Sequence, residues 1–272
     1  MNKGVVSVLV AYLIWGLYPF YFHAMQHVAP TEIVIHRVLW TFALLAVYLF
    51  CSRRWRWIQK AITDRRTVAV FLMSSVLITA NWSTYTYAIV TNQTLEASLG
   101  YFMNPLVSVL LGTVFLKEKL NKAQMLAIVF ACAGVMWVTF KQGEFPALGL
   151  TLALSFGFYG LVRKMAPLGS LEGLTLETAF AFPVALLATF YFAGNGDLTF
   201  VHGTSWDKFW LIMAGPITTI PLILFAYGLK QVPYSTVGFI QYLSPTMVFF
   251  IGLFFFGEEL QVDRLIGFIL IW

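Results

Sequence analysis

Long apolar runs separated by short polar segments are the feature that most limits how this chain can fold. A helix needs about 20 apolar residues to cross the hydrocarbon core of a bilayer. Nine such runs occur, namely Val5–Met25, Ile33–Phe50, Val68–Val90, Leu95–Leu116, Ala123–Phe140, Phe145–Val162, Leu174–Phe192, Phe209–Leu229 and Tyr234–Phe256. A tenth run, Leu265–Trp272, is shorter, and we expect its helix to continue beyond Trp272. The runs predict an all-α integral membrane protein with ten transmembrane helices, the last one truncated.

The composition supports this interpretation and excludes soluble classes of protein. Hydrophobic residues make up 60% of the 272 positions and charged residues only 11%, whereas a soluble domain carries about 25% charged residues. Cys51 and Cys132 are the only cysteines, which excludes a disulfide scaffold. The sequence contains no histidine pair or cysteine pair with metal-ligand spacing and no nucleophile elbow. We therefore expect no enzymatic activity, no metal and no cofactor.

The distribution of lysine and arginine predicts the orientation in the membrane. One set of alternate segments holds thirteen of them: Lys3, Arg53, Arg54, Arg56, Lys60, Arg65, Arg66, Lys117, Lys119, Lys122, Arg163, Lys164 and Lys230. The other set holds three, namely Lys141, Lys208 and Arg264. Because basic residues concentrate in cytoplasmic segments, we expect the N-terminus to be cytoplasmic.

The basic stretch Arg53–Arg66 has two interpretations. Trp55 and Trp57 lie among its arginines, as aromatic residues do in some RNA-binding segments. The simpler interpretation is an interfacial segment whose tryptophans lie at the depth of the lipid headgroups. We favour the second, and we expect the lipid bilayer rather than nucleic acid as the partner of this stretch.

An internal repeat relates the two halves of the chain. A shift of 140 residues places Pro105 on Pro245, and a shift of 141 places Trp15–Tyr18 on Phe156–Tyr159. Each half, residues 1–140 and 145–272, holds five predicted helices. Because five is odd, the second half enters the membrane from the opposite side. The pattern predicts two inverted five-helix repeats, an arrangement typical of secondary transporters.

The matched prolines indicate where a binding cavity would lie. Pro105 and Pro245 each fall near the middle of an apolar run, and a proline inside a helix kinks it and frees backbone polar groups. A single proline could merely bend a packed helix, but a matched pair favours a cavity between the halves. The polar and aromatic residues that we predict to line it and bind substrate are Trp15, Tyr18, Asn81, Trp82, Tyr101, Asn104, Tyr159, Gln241 and Tyr242.

Ionisable residues within the apolar runs are few, and such groups are often functional in membranes. Arg37 and Glu96 approach the membrane from the same side, so an ion pair between them is geometrically possible. The pair could exchange a coupling proton or bind a substrate carboxylate, or it could only hold two helices together. Glu177 lies near the inner end of the seventh run, and His36 is more simply a hydrogen-bonded helix residue.

Several stretches resemble the EamA group of the drug/metabolite transporter superfamily, and together they span nearly the whole chain. They are Ala11–Gly16, His36–Trp40, Leu95–Leu106, Ser155–Lys164 and Gly238–Thr246. The resemblance implies ten helices in two EamA repeats in the bacterial inner membrane. It also implies a permease with a link to chloramphenicol sensitivity or resistance.

These observations favour a secondary transporter that exports or exchanges small amphipathic solutes by alternating access. No nucleotide-binding motif occurs in the sequence, so we do not expect ATP to drive it directly. The alternative is a membrane sensor or accessory subunit that transports nothing.

Overall fold

The computed structural model describes residues 2–90, 94–142 and 147–257, and in these the side chains of residues 89, 90, 94–99, 138, 141 and 142 are not described. All the regular structure in these residues is helical. The helices are α1 (Lys3–Gly16), α2 (Tyr18–Ala24), α3 (Pro30–Ser52), α4 (Arg56–Thr63), α5 (Arg65–Val90), α6 (Thr94–Phe115), α7 (Lys122–Gln142), α8 (Ala147–Met165), α9 (Ser170–Gly194), α10 (Thr199–His202), α11 (Ser205–Leu229), α12 (Tyr234–Gln241) and α13 (Leu243–Phe255).

Six helical segments of the described chain are long and apolar enough to cross a membrane. They are Lys3–Ala24, Pro30–Ser52, Arg65–Ala88, Ser170–Gly194, Ser205–Leu229 and Tyr234–Phe255. The other three full-length apolar runs fall on α6, α7 and α8. The tenth run lies outside the described residues, so the count of ten stays a prediction. The segments show a multi-pass, all-helical membrane protein.

Two of the membrane-crossing segments are interrupted. The α-helical bonding of the first stops at Leu17, between α1 and α2, and that of the last stops at Tyr242, between α12 and α13. At both residues the backbone N–H donates to the carbonyl three residues earlier, as in a 3₁₀ turn. Pro245 is the third residue of α13, where its missing N–H costs no helical bond.

The helix α6, by contrast, continues through Pro105. Proline has no N–H to donate to the carbonyl four residues earlier, which belongs to Tyr101. A close packing contact lies beside this position, since a Cβ on Gly238 of α12 would come within 2.9 Å of the Pro105 carbonyl oxygen. The two matched prolines thus occupy different local structures, one inside a helix and one in the first turn of a helix.

The packing of the helices places α3 and α9 side by side near the centre. Both contact α5 and α11, while α1 packs on α11, α12 and α13, and α8 packs on α5 and α6. The largest buried cluster includes Tyr12, Tyr159 and Phe225. Glu32 and Arg37 of α3 and Glu177 of α9 are buried and therefore lie inside the helix bundle.

Candidate functional site

Arg37 is the buried cation on α3, with only 9% of its surface exposed. Its Nε donates a 2.9 Å hydrogen bond to the Thr218 hydroxyl oxygen on α11. Its guanidinium carbon lies 4.3 Å from the centre of a Trp82 ring on α5, within the range of a cation–π interaction. Three helices thus fix the position of this charge.

A cavity of about 100 Å³ lies beside Arg37. Its apolar wall includes Phe22, Met25 and Ile33, and its polar side is made by Arg37, Tyr85 and Thr86. The cavity therefore combines an apolar surface with one positive charge and two hydroxyl groups. A small solute with both polar and apolar parts would satisfy these walls.

Tyrosines surround the same charge. Tyr18 donates from its hydroxyl to the carbonyl oxygen of Ile217 at 2.8 Å, on the turn of α11 that also carries Thr218. The ring of Tyr85 lies 5.9 Å from that of Tyr101 in an edge-on contact. Tyr101 keeps 45% of its surface exposed, so the aromatic wall extends from the buried cation toward the surface of the bundle.

A second buried charge site lies on α9, where Glu177 pairs with Arg163 of α8. The Arg163 Nε and the Glu177 Oε1 are 3.4 Å apart, and both side chains are 1% exposed. Ser74 of α5 donates a short hydrogen bond to Oε1, and the Tyr159 hydroxyl lies 3.4 Å from Oε2. The carboxylate is thus held by a cation and two hydroxyl groups.

Arg163 can reach Glu177 because the neighbouring helix leaves room for it. A Cβ on Gly173 of α9 would overlap the Arg163 Nη1 and come within 2.6 Å of Phe71. The guanidinium also donates to the Ser170 carbonyl at 3.0 Å. The buried ion pair therefore depends on a glycine that touches neither the cavity nor the carboxylate.

Trp82 separates the two charge sites. It lies under Arg37 on one side and also lines a much smaller cavity, of about 10 Å³, together with Glu177. Val38 of α3 and Leu222 of α11 are among its other lining residues. A volume of that size holds about one water molecule. The interior therefore holds the larger cavity beside Arg37 and is nearly filled between Trp82 and Glu177.

Reciprocal lysine contacts tie the helix ends next to the buried ion pair. Lys164, in the last turn of α8, donates to the carbonyls of Leu229 at 2.8 Å and Val232 at 2.6 Å. Lys230, just after α11, donates to the carbonyl of Ala166 at 2.8 Å. Burial lowers the pKa of the Lys230 amine. Each lysine thus binds the end of the other helix and closes this end of the bundle.

The structure places the predicted substrate-binding residues in several locations. Tyr18 and Trp82 lie at Arg37, and Tyr101 contacts the cavity wall through Tyr85. Glu96 is among the residues whose side chains are not described. Its ion pair with Arg37 therefore stays a prediction.

Two of the remaining predicted residues belong to the aromatic core. The Trp15 ring lies 5.4 Å and the Tyr159 ring 6.4 Å from the ring of Phe225. Tyr159 also reaches Glu177 with its hydroxyl. Tyr159 thus joins the packed centre to the second charge site, whereas Trp15 packs within the aromatic core and contacts Tyr18.

The predicted amides make contacts between neighbouring helices. Asn81 of α5 donates to the carbonyl of Leu152 on α8 at 2.9 Å. Gln241 of α12 accepts a 3.2 Å hydrogen bond from Ser108 of α6. Asn104 is buried. Asn81 and Gln241 thus bind polar groups of neighbouring helices, whereas the Asn104 Oδ1 has no hydrogen-bond partner among the described residues.

Tyr242 occupies the break between α12 and α13 and is half-buried. Its hydroxyl is shielded from solvent and has no hydrogen-bond partner among the described residues. The residue therefore marks the interruption of the helix.

Sequence reasoning missed the Arg163–Glu177 pair, because Arg163 was counted among the basic residues of the cytoplasmic segments. One signal could have found it. The 140-residue shift that places Pro105 on Pro245 also places Arg37 on Glu177. Two opposite charges at matched positions of two apolar helices would have singled out both sites.

Comparison with known proteins agrees with this architecture. A model of the EamA-like transporter family matches residues 2–140 and again residues 146–272. The Escherichia coli protein RarD is 37% identical over 271 residues, which cover 100% of this chain and 92% of RarD. A Pseudomonas aeruginosa protein described as an uncharacterized transporter is 39% identical over 272 residues, covering 100% of this chain and 91% of its own.

One solved crystal structure shares the fold, with a TM-score of 0.69 at 14% identity, and the match covers 98% of this chain and 94% of that one. Both the sequence matches and the fold extend over essentially the whole chain. The protein therefore belongs to the EamA-like transporter family, and it is similar to RarD along its full length.

Proposed function

We propose that this protein is a secondary transporter that moves small amphipathic solutes across the bacterial inner membrane by alternating access. The observation that carries the proposal is the cavity of about 100 Å³ at Arg37, whose guanidinium lies against Trp82. A charged group in an apolar, helix-lined cavity is a substrate or ion site by default in a membrane protein. Membership in a transporter family supports a role of this cavity in binding the transported solute.

The helix packing supports a mechanism based on two inverted repeats. If residues 1–140 and 145–272 are related by a two-fold axis, α1 corresponds to α8, α3 to α9 and α5 to α11. When each helix is replaced by its counterpart in the other half, the α1–α11 contact becomes the α8–α5 contact. In the same way, the α3–α11 contact becomes the α9–α5 contact. All four contacts are present. Two halves that pack in this exchangeable way could swap conformations and open the bundle alternately to each side.

The asymmetry around Trp82 indicates which side would be open. The larger cavity adjoins Arg37, whereas the Glu177 end is nearly filled and is tied by Lys164 and Lys230. With the N-terminus in the cytoplasm, as the basic residues predict, the lysine contacts lie on the cytoplasmic side. We infer that this conformation is accessible from the periplasmic side and closed toward the cytoplasm.

Transport in proteoliposomes tests the proposal. Uptake and efflux of a panel of radiolabelled small solutes, chloramphenicol among them, would be measured with and without a pH gradient. Replacing Trp82 by Ala removes the partition between the two charge sites, and we expect the initial rate to fall on the order of tenfold, or about 1.4 kcal/mol. Trp206→Ala, on the exposed surface of α11, is the control and keeps the rate.

Two results would contradict the proposal. Unchanged transport by a folded Trp82→Ala variant would remove the site from the pathway. If no solute crossed in the presence of folded wild-type protein, the alternative would stand, namely a membrane sensor or accessory subunit.

A further inference from the structure

The two buried arginines differ in what balances their charge. Arg163 lies 3.4 Å from the carboxylate of Glu177. Arg37 pairs with none of the described carboxylates, and its only described hydrogen bond goes from Nε to Thr218. A buried cation without an anion is costly in a low-dielectric interior. The cavity at Arg37 therefore favours a ligand that carries a negative charge.

The orientation of Arg37 suits a carboxylate in particular. The Nε group donates to Thr218, and Trp82 lies against the guanidinium, so the side chain is held in place. No described residue accepts a hydrogen bond from its terminal nitrogens, and the residue lines the cavity. A guanidinium with two adjacent N–H groups matches the two oxygens of a carboxylate. The geometry is that of a preformed anion site in a wall of the cavity.

The rest of the cavity selects the body of the ligand. Phe22, Met25 and Ile33 provide apolar surface, and Tyr85 and Thr86 add hydroxyl groups near the charge. A volume of about 100 Å³ limits this body to a compact group. The walls thus combine one cation with a short apolar contact surface.

We propose that the cavity binds small organic acids, with the carboxylate on Arg37 and a compact hydrocarbon or aromatic group against Phe22, Met25 and Ile33. This inference rests on the proposed transport function and names its substrate class. It predicts that the protein discriminates by charge among ligands of the same size and shape.

Binding of matched probes to the purified, full-length protein tests the inference. Benzoate, benzamide and benzylamine share a ring but carry a negative, a neutral and a positive group, and acetate and isobutyrate extend the acids to smaller bodies. Titration calorimetry would give each affinity. We expect at least one acid to bind, and benzoate to bind about tenfold or more tightly than benzamide.

Substitutions assign the preference to Arg37. Arg37→Gln is expected to abolish the preference for benzoate over benzamide, and Arg37→Lys to keep part of it because the positive charge remains. Arg66→Gln, at the exposed start of α5, is the matched control and leaves all affinities unchanged. Circular dichroism would establish that each variant is folded. If Arg37→Gln does not fold, Arg37→Lys carries the test, with a loss of affinity expected for benzoate alone.

The predicted pair between Arg37 and Glu96 is the competing interpretation, in which the protein's own carboxylate occupies the guanidinium. It predicts that the wild-type protein binds none of the acids and that Glu96→Gln does, a result that would overturn the inference. Equal affinities of the wild-type protein for benzoate and benzamide would also overturn it.

The inference and the proposed function can fail separately. If neutral solutes cross proteoliposomes while no acid binds, the inference fails and the proposed function stands. If acids bind and nothing crosses, the proposed function fails instead.

Discussion

Arg37 on α3 and Glu177 on α9 lie 140 residues apart, at positions that the sequence shift superposes. A tyrosine accompanies each of them, Tyr18 near Arg37 and Tyr159 near Glu177, and these two are 141 residues apart. Glu177 is paired with Arg163 and adjoins a cavity of about 10 Å³. Arg37 adjoins a cavity of about 100 Å³. Matched positions in the two halves thus hold opposite charges, one beside the larger cavity and one beside the nearly filled cavity.

The difference suggests how one scaffold can separate structural and ligand-binding charges. At Glu177 the protein supplies the counter-charge itself, and the helices close around the pair. At Arg37 the described residues supply a hydrogen bond and an aromatic face but no carboxylate. Removing one partner of the internal pair leaves the other charge buried and unpaired, whereas at Arg37 the counter-charge would come from the proposed ligand.

The largest expected effect comes from removing the carboxylate. Glu177→Gln keeps the side-chain size and an acceptor for Ser74, but it leaves the Arg163 charge buried and unpaired. Breaking a buried pair in this way typically costs about 3–5 kcal/mol of unfolding free energy. Denaturant or thermal unfolding in detergent would measure the loss. Arg37→Gln is the comparison and is expected to cost less. An equal or larger loss for Arg37→Gln would mean that the protein itself neutralises that charge too.

A smaller effect is expected from the glycine that admits Arg163. Gly173→Ala places a methyl group where Nη1 and Phe71 now lie, so the arginine must shift away from Glu177. Overpacking of this kind typically costs about 1–3 kcal/mol. Gly194→Ala, at the last residue of the same helix, meets no atom within 4 Å and is the matched control. Comparable unfolding curves for the two variants would show that Arg163 has room to move.

The sequence predicted the architecture better than the site. Apolar runs mark buried or lipid-facing helices directly, because hydrophobicity and length suffice to recognise them. Proline alone did not predict which helix is interrupted, because the break at Tyr242 lies three residues before Pro245 whereas α6 continues through Pro105. Two of the predicted lining residues, Tyr18 and Trp82, lie beside Arg37, and their role in binding substrate stays a prediction.

The roles of the remaining site residues could not be predicted, because they depend on contacts between helices and residue spacing along one helix does not reveal such contacts. Asn81 is satisfied by the Leu152 carbonyl of a neighbouring helix, so its polarity reflects packing. Arg163 follows an apolar run and therefore has the sequence pattern of a cytoplasmic anchor. It is buried only because α9 presents a glycine and a glutamate to it. Such burial follows from tertiary structure rather than from local composition.

The smallest expected effect separates orientation from charge at Arg37. Thr218→Val keeps the side-chain shape but removes the acceptor of the Nε hydrogen bond, and a typical hydrogen bond contributes about 1 kcal/mol. Thr219→Val is the neighbouring control, because its hydroxyl donates only to the Gly215 carbonyl of its own helix. We expect Thr218→Val to unfold slightly earlier than the control in detergent and to bind benzoate more weakly, since the guanidinium is no longer held toward the cavity. If both variants behaved alike in unfolding and in benzoate titration, the Thr218 hydrogen bond would not orient Arg37, and Trp82 alone would do so. The Arg37 site would then differ from the Glu177 site in the source of its counter-charge and not in how the charged side chain is held.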